Sequence, residues 1–231
     1  MRHLFVAASV LLLPLVARAQ VRLVDEGTFS IFADGERIGR EDFSIRATGA
    51  AGNAYIAQGN VLVGSERRSV ALNADSAGFP LRYTHETSVD GRVVEAVSGE
   101  ARRGIWLGRA IHARGESVRE FRLPPNSVAV ETGVAHQLWF LLRRGIGPAP
   151  TILLPRDLGL LRVTLEDAGP DRVVIGPREF VTRRWVIRPV DGSQPVREAW
   201  TDLEGRVLRV RSASEGLEAL RDEAPPETPG R

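Results

Sequence analysis

Apolar and polar residues alternate with a period of two along most of the chain, the signature of strands with one buried face. Residues 28–32 alternate into Asp34-Gly35, and a second run resumes over 38–45. An Asp-Gly pair between two such runs predicts a hairpin, because a type I′ turn needs positive φ at both central residues. The same device recurs at Asp90-Gly91 and Asp191-Gly192, with Glu204-Gly205 as a weaker version. Gly39 interrupts its run and predicts a bulge or bend. Further strands are predicted over 54–63, 67–74, 81–89, 93–101, 105–113 and 117–123, then 152–154, 160–166, 172–175, 181–187, 196–203 and 206–211. No βαβ rhythm separates them. The predicted fold is mainly all-β: a curved antiparallel sheet, or half-open β-barrel, with one buried α-helix against it.

That helix is predicted over 134–144, which is apolar around most of its circumference and stops at Gly145. A second, short helix is expected over 217–222. From residue 224 the chain is rich in Pro and Glu and poor in apolar residues, which predicts a disordered tail over 224–231. Residues 20–223 are read as a single antiparallel β domain.

The first nineteen residues follow a different pattern. Arg2 and His3 precede an apolar run over 4–16, and Ala17-Arg18-Ala19 gives a small-x-small motif before Gln20. This is the layout of a cleaved signal peptide. The run is shorter than the roughly 20 residues that span a bilayer. A periplasmic or secreted location follows as the expectation, with cleavage after Ala19 and no transmembrane anchor. The chain has no Cys, which leaves no lipobox, no disulfide staples, and no thiol, haem-thioether or cysteine-zinc chemistry.

Charge removes further classes. The chain carries 31 basic and 29 acidic residues; Arg2 and Arg18 leave with the signal segment, so 29 arginines face 29 acids in the mature chain. A near-neutral protein has no global field to attract nucleic acid, and no nucleic-acid partner is expected. Every basic residue is Arg, which excludes lysine Schiff bases and lysine nucleophiles. No two of His85, His112 and His136 stand at metal-ligand spacing, and no serine sits in a G-x-S-x-G elbow. No catalytic residue, metal or cofactor is assigned.

Three constellations remain. On the predicted helix, His136, Trp139, Phe140 and Arg143 share a side by i, i+3, i+4 and i+7 spacing. They either roof a ligand cavity, with His136 and Arg143 at its rim, or belong to a plain core helix whose Arg reaches solvent. In the late hairpin, pairing across Asp191-Gly192 would place Trp185 and Trp200 on one surface with an Arg–Glu couple. That surface suits either a ligand or solvent. In 81–89, Tyr83, His85 and Thr87 share parity with Leu81 and Val89, so polar groups stand on an otherwise apolar face. The candidate ligand-binding set is therefore His136, Trp139, Phe140, Arg143, Trp185 and Trp200.

Gly27-Thr28-Phe29, the Asp34-Gly35 hairpin and Ile38-Gly39 open the chain after its signal, and a Trp-x-Asp-x-x-Gly-Arg-x-Leu hairpin from Trp200 to Leu208 closes it. A lone apolar helix followed by Leu153-Leu154-Pro155 lies between. In this arrangement the chain resembles the uncharacterised periplasmic β-sheet relatives of the LolA-type lipoprotein carriers. The resemblance implies a half-open barrel with an apolar concave face, where carriers of that fold hold acyl chains. No binding motif of theirs matches residue by residue, and the fold also hosts at least one cofactor-free enzyme. The expected function is an exported protein that binds or carries an apolar or amphipathic small molecule or lipid. The alternatives are a cofactor-independent enzyme with His136 or His85 as acid or base, and a structural or envelope-interaction protein without a small ligand.

Overall fold

The computed structural model describes residues 21–49 and 54–225, so the expected signal segment and all but the start of the expected tail lie outside the described residues. Eight strands come first: β1 (Arg22–Ala33), β2 (Glu36–Thr48), β3 (Ala54–Val63), β4 (Glu66–Asp75), β5 (Pro80–Val89), β6 (Arg92–Arg102), β7 (Ile105–His112) and β8 (Gly115–Arg122). They form a continuous antiparallel meander. Asp34 and Gly35 take φ of 48° and 85°, and Asp90 and Gly91 take 50° and 77°, as type I′ hairpins require. The register slips between Ile31 and Phe32, opposite Gly39 and Arg37, which is the bulge expected at Gly39.

The chain then crosses over. β9 (Ser127–Ala129) leads through α1 (Leu138–Leu142) to β10 (Thr151–Leu154), and β9 and β10 pair in parallel. Parallel neighbours need a long crossover, and the lone helix belongs to that connection. The helix is shorter than the expected 134–144, because the chain before residue 138 runs as turns.

β11 (Gly159–Ile175), β12 (Arg178–Pro189), β13 (Arg197–Thr201), β14 (Val207–Ser212) and β15 (Leu217–Arg221) complete the sheet. β11 joins two expected strands into one, with a register irregularity between Asp167 and Pro170. β15 occupies the segment expected to be a second helix. Its residues have adequate helix propensity, but β15 fills the gap between β1 and β14, and ladder bonds on both sides override that preference.

Among the described residues the result is one 15-stranded sheet in the order β8-β7-β6-β5-β4-β3-β2-β1-β15-β14-β13-β12-β11-β10-β9. It is all-β, mainly antiparallel and curved, with, among the described residues, a single small α-helix packed against it. The sheet rolls so that β9 and β10, both wholly buried, lie inside it, and β9 meets β5. The main core forms between them, from residues such as Phe29, Ile45, Leu72, Trp106, Leu141 and Leu153. Among the described residues, no helix is long and apolar enough to cross a membrane.

Candidate functional site

Between β9 and α1, residues 130–137 form a roof over one end of the rolled sheet, and a single side chain from β2 pins it. Glu41 alternates with Phe43, Ile45 and Ala47 on the inner face and is fully buried. Its Oε2 accepts the backbone N–H of Ala135 at 2.7 Å, and its Oε1 accepts that of His136 at 3.0 Å. The His136 Nδ1 lies 2.6 Å from the same Oε1. The His136 ring stacks on Phe43 with centroids 5.4 Å apart and covers Gly59. A Cβ at residue 59 would sit 2.6 Å from the His136 Cε1, so only glycine admits the ring there. Gln137 turns back to accept the Glu131 N–H at 2.7 Å, closing the roof on itself.

Under this roof lies a cavity of about 190 Å³. Ile31, Ile38, Val63, Val134, Leu138 and Val210 give it largely apolar walls, contributed by strands on both sides of the β1–β15 pair and by the roof. Its charged lining groups are mostly committed elsewhere. Glu41 holds the roof, and Glu131 accepts from the N–H groups of Thr132 (2.9 Å) and Arg156 (3.2 Å). Glu218 pairs with Arg209 at 2.6 Å, while Arg68 pairs with Glu66 at 3.0 Å and donates to the Thr132 carbonyl at 3.2 Å.

Arg197 differs from these. It stands on β13 opposite Ile187, on the inner face with Ala199, and is half-buried. No side chain or carbonyl among the described residues hydrogen-bonds or ion-pairs with it. Burial holds its guanidinium below the ordinary value, offset in part by the more distant charges of Glu215 and Glu131.

A second polar group occupies the inner face of β5. Tyr83, His85 and Thr87 are all buried and face the core, whereas Leu81, read as sharing their face, is exposed. His85 Nε2 lies 2.8 Å from the Thr87 hydroxyl, which donates to Glu95 at 3.4 Å; Glu95 pairs with Arg156 at 2.7 Å. His85 Nδ1 stands 3.8 Å from Glu131. Burial, reinforced by the negative charge of Glu131, pushes the Tyr83 phenol well above its usual value of 10.0. Neither His85 nor His136 lines the cavity, and no group of three or more His, Asp or Glu among the described residues could hold a metal ion.

The six residues singled out from the sequence do not surround one space, and none lines this cavity. Trp139 and Phe140 meet edge-to-face at 5.0 Å, and Tyr55 packs against Trp139 at 5.1 Å. Exposed Arg143 lies over both Trp139 (4.4 Å) and Tyr55 (4.6 Å). His136 is buried under the roof rather than placed at a rim. Trp185 is in the main core and donates to the Thr201 hydroxyl at 3.1 Å. Trp200 is on the opposite sheet face, in a small cluster with Val173, Ile175 and Leu208, and donates to Asp171 at 2.8 Å.

The separation of the two indoles follows from register. Trp185 pairs with Ala199, and Trp200 with Arg184. A two-residue turn at Asp191-Gly192 would have set Trp185 opposite residue 198 and put both rings on one face. The actual connection is longer, Asp191 does not take positive φ, and the register differs by one residue, which reverses the face. That same shift turns Arg197 inward. Glu41 and Arg197 were missed because each lies within a polar stretch; their signal was parity with Phe43 and Ala199.

No family model matches the chain, and no curated protein does. Among solved structures, the chain is similar to a beta-barrel-like protein of a domain of unknown function, DUF1849, from Brucella abortus. The TM-score is 0.56 at 12% sequence identity, covering 87% of this chain and 96% of that one. At that identity the likeness is one of fold: a rolled, barrel-like antiparallel sheet.

Proposed function

We propose that this is an exported protein, periplasmic or secreted, that binds an apolar or amphipathic small molecule in the cavity beneath the 130–137 roof. The observation that carries this reading is a cavity of about 190 Å³ with mainly aliphatic walls beneath the roof. An apolar cavity of about 150 Å³ is enough to take up benzene, so this one has room for a single ring or a short chain. The resemblance to LolA-type carriers supports carriage of such a molecule, and the volume favours something smaller than a full acyl chain. Export rests on the segment over 1–19.

The test uses the mature chain, with toluene and 1-octanol as probes and methyl resonances as the readout. Both probes are expected to shift the methyls of Val130, Val134, Leu138 and Val210 saturably. Val210→Trp, which fills the cavity from β14, is expected to abolish those shifts while keeping a native-like melting temperature. Unchanged cavity methyls at probe saturation in water would overturn the reading.

A further inference from the structure

Arg197 gives the cavity a chemical preference. Its guanidinium borders an apolar space, is half-buried, and has no hydrogen-bonding or ion-pairing partner among the described residues. The other charged groups of the lining, Glu41, Glu131, Glu218 and Arg68, already have partners at 3.2 Å or less. Glu215 lies on an exposed turn (Ala213–Glu215) and acts on Arg197 only through the longer-range field, outside ion-pair distance. A half-buried guanidinium whose nearby acids, Glu215 and Glu131, make no ion pair with it gains from a planar anion that accepts two parallel N–H bonds. The walls beside it, Val134, Leu138 and Val210, offer an apolar lodging for whatever the anion carries.

We infer that the ligand is a small amphipathic anion, a carboxylate or similar head on a short chain or single ring, with its head on Arg197 and its tail under the roof. This rests on the cavity being a ligand site, as proposed above, and specifies which ligands it selects. The side of β13 that carries Arg197 is the side the sheet turns inward, so the charge is fixed by the strand rather than by a mobile loop.

The experiment compares octanoate, 1-octanol and octylammonium on the native chain by calorimetry at neutral pH and low salt. Charge-assisted bonds to a partly buried Arg predict octanoate about tenfold or more tighter than 1-octanol, with octylammonium weakest. Arg197→Gln is expected to remove the octanoate advantage and leave 1-octanol binding intact, which also reports that the variant is folded. Glu215→Gln is expected to hold octanoate at least as tightly as the native chain. Equal binding of octanoate and 1-octanol, an unchanged preference in Arg197→Gln, or tighter binding of octylammonium would overturn the inference while the cavity reading stood. Failure of all three probes to bind would remove both.

Discussion

Tyr83, His85 and Thr87 put three polar groups on the core side of one strand; His85 and Thr87 pair with each other, while the Tyr83 hydroxyl is buried without a hydrogen-bond partner among the described residues. His85 and Thr87 bond to each other and onward to Glu95 and Arg156 at the surface. Tyr83 lies deepest, beside Glu131, where its neutral form is strongly favoured. An unfolded chain ionises this phenol near pH 10, whereas the folded one keeps the proton to higher pH. Above that point unfolding releases a proton, so stability falls as pH rises. Urea midpoints between pH 9 and about 11.5 are expected to drop more steeply for the native chain than for Tyr83→Phe. Equal slopes would show that Tyr83 does not contribute. Leu81, which shares parity with these residues and with Val89, is exposed and does not mark the core side, but the shared face of Tyr83, His85 and Thr87 was legible in the sequence. Its partner was not: Glu131 arrives from a turn whose path depends on the crossover, and no local pattern encodes that.

At the scale of elements, the roof depends on Glu41 more than on its own sequence. Removing that side chain leaves two backbone N–H groups and an imidazole without their acceptor in a buried place. Glu41→Ala is expected to cost about 3–5 kcal/mol, in the range for breaking a buried charged interaction. The loss should be regional first: amides of residues 131–138 should lose hydrogen-exchange protection before those of β2 and β3. Uniform loss across the sheet would contradict a pinned roof. The sequence disclosed an apolar helix here, and α1 is present, but only over Leu138–Leu142. The turns before it are fixed by distant acceptors, so helical periodicity overstated its length. The hairpin strands were legible because alternation and turn residues are local. The register of β12 against β13 was not, because one residue in a loop decides which face each indole occupies. That residue also separates the expected aromatic site from the cavity that Arg197 borders.

For the whole molecule, the central closure is the pairing of β1 with β15. At its end Arg221 donates to Asp25 at 2.8 and 3.1 Å, both side chains almost fully buried, and its guanidinium stands 5.3 Å from the Phe43 ring. Breaking one side of such a pair strands the other charge. Arg221→Ala is expected to lower global stability by about 3–5 kcal/mol, read as a shift in the denaturant midpoint. A change below about 1 kcal/mol would place the pair among the weakly contributing ion pairs typical of surfaces. A Cys-free chain relies on packing and on such contacts to join its ends. The sheet's alternating strands forecast a single curved layer, but not that its first and last described strands would be neighbours. Nothing in either strand alone specifies the other.

That adjacency bears on how the protein is made. β1 is the first of the described strands to be synthesised, and its partner β2 follows directly. The other side of β1 waits for β15, the last of the described strands. Throughout synthesis, and through any passage across a membrane that begins with the N-terminus, a long strand edge with free N–H and C=O groups stays open. The β1 edge therefore stays open until residues 217–221 are made, and a holding factor that covers it until Arg221 emerges would serve the chain better than one acting early.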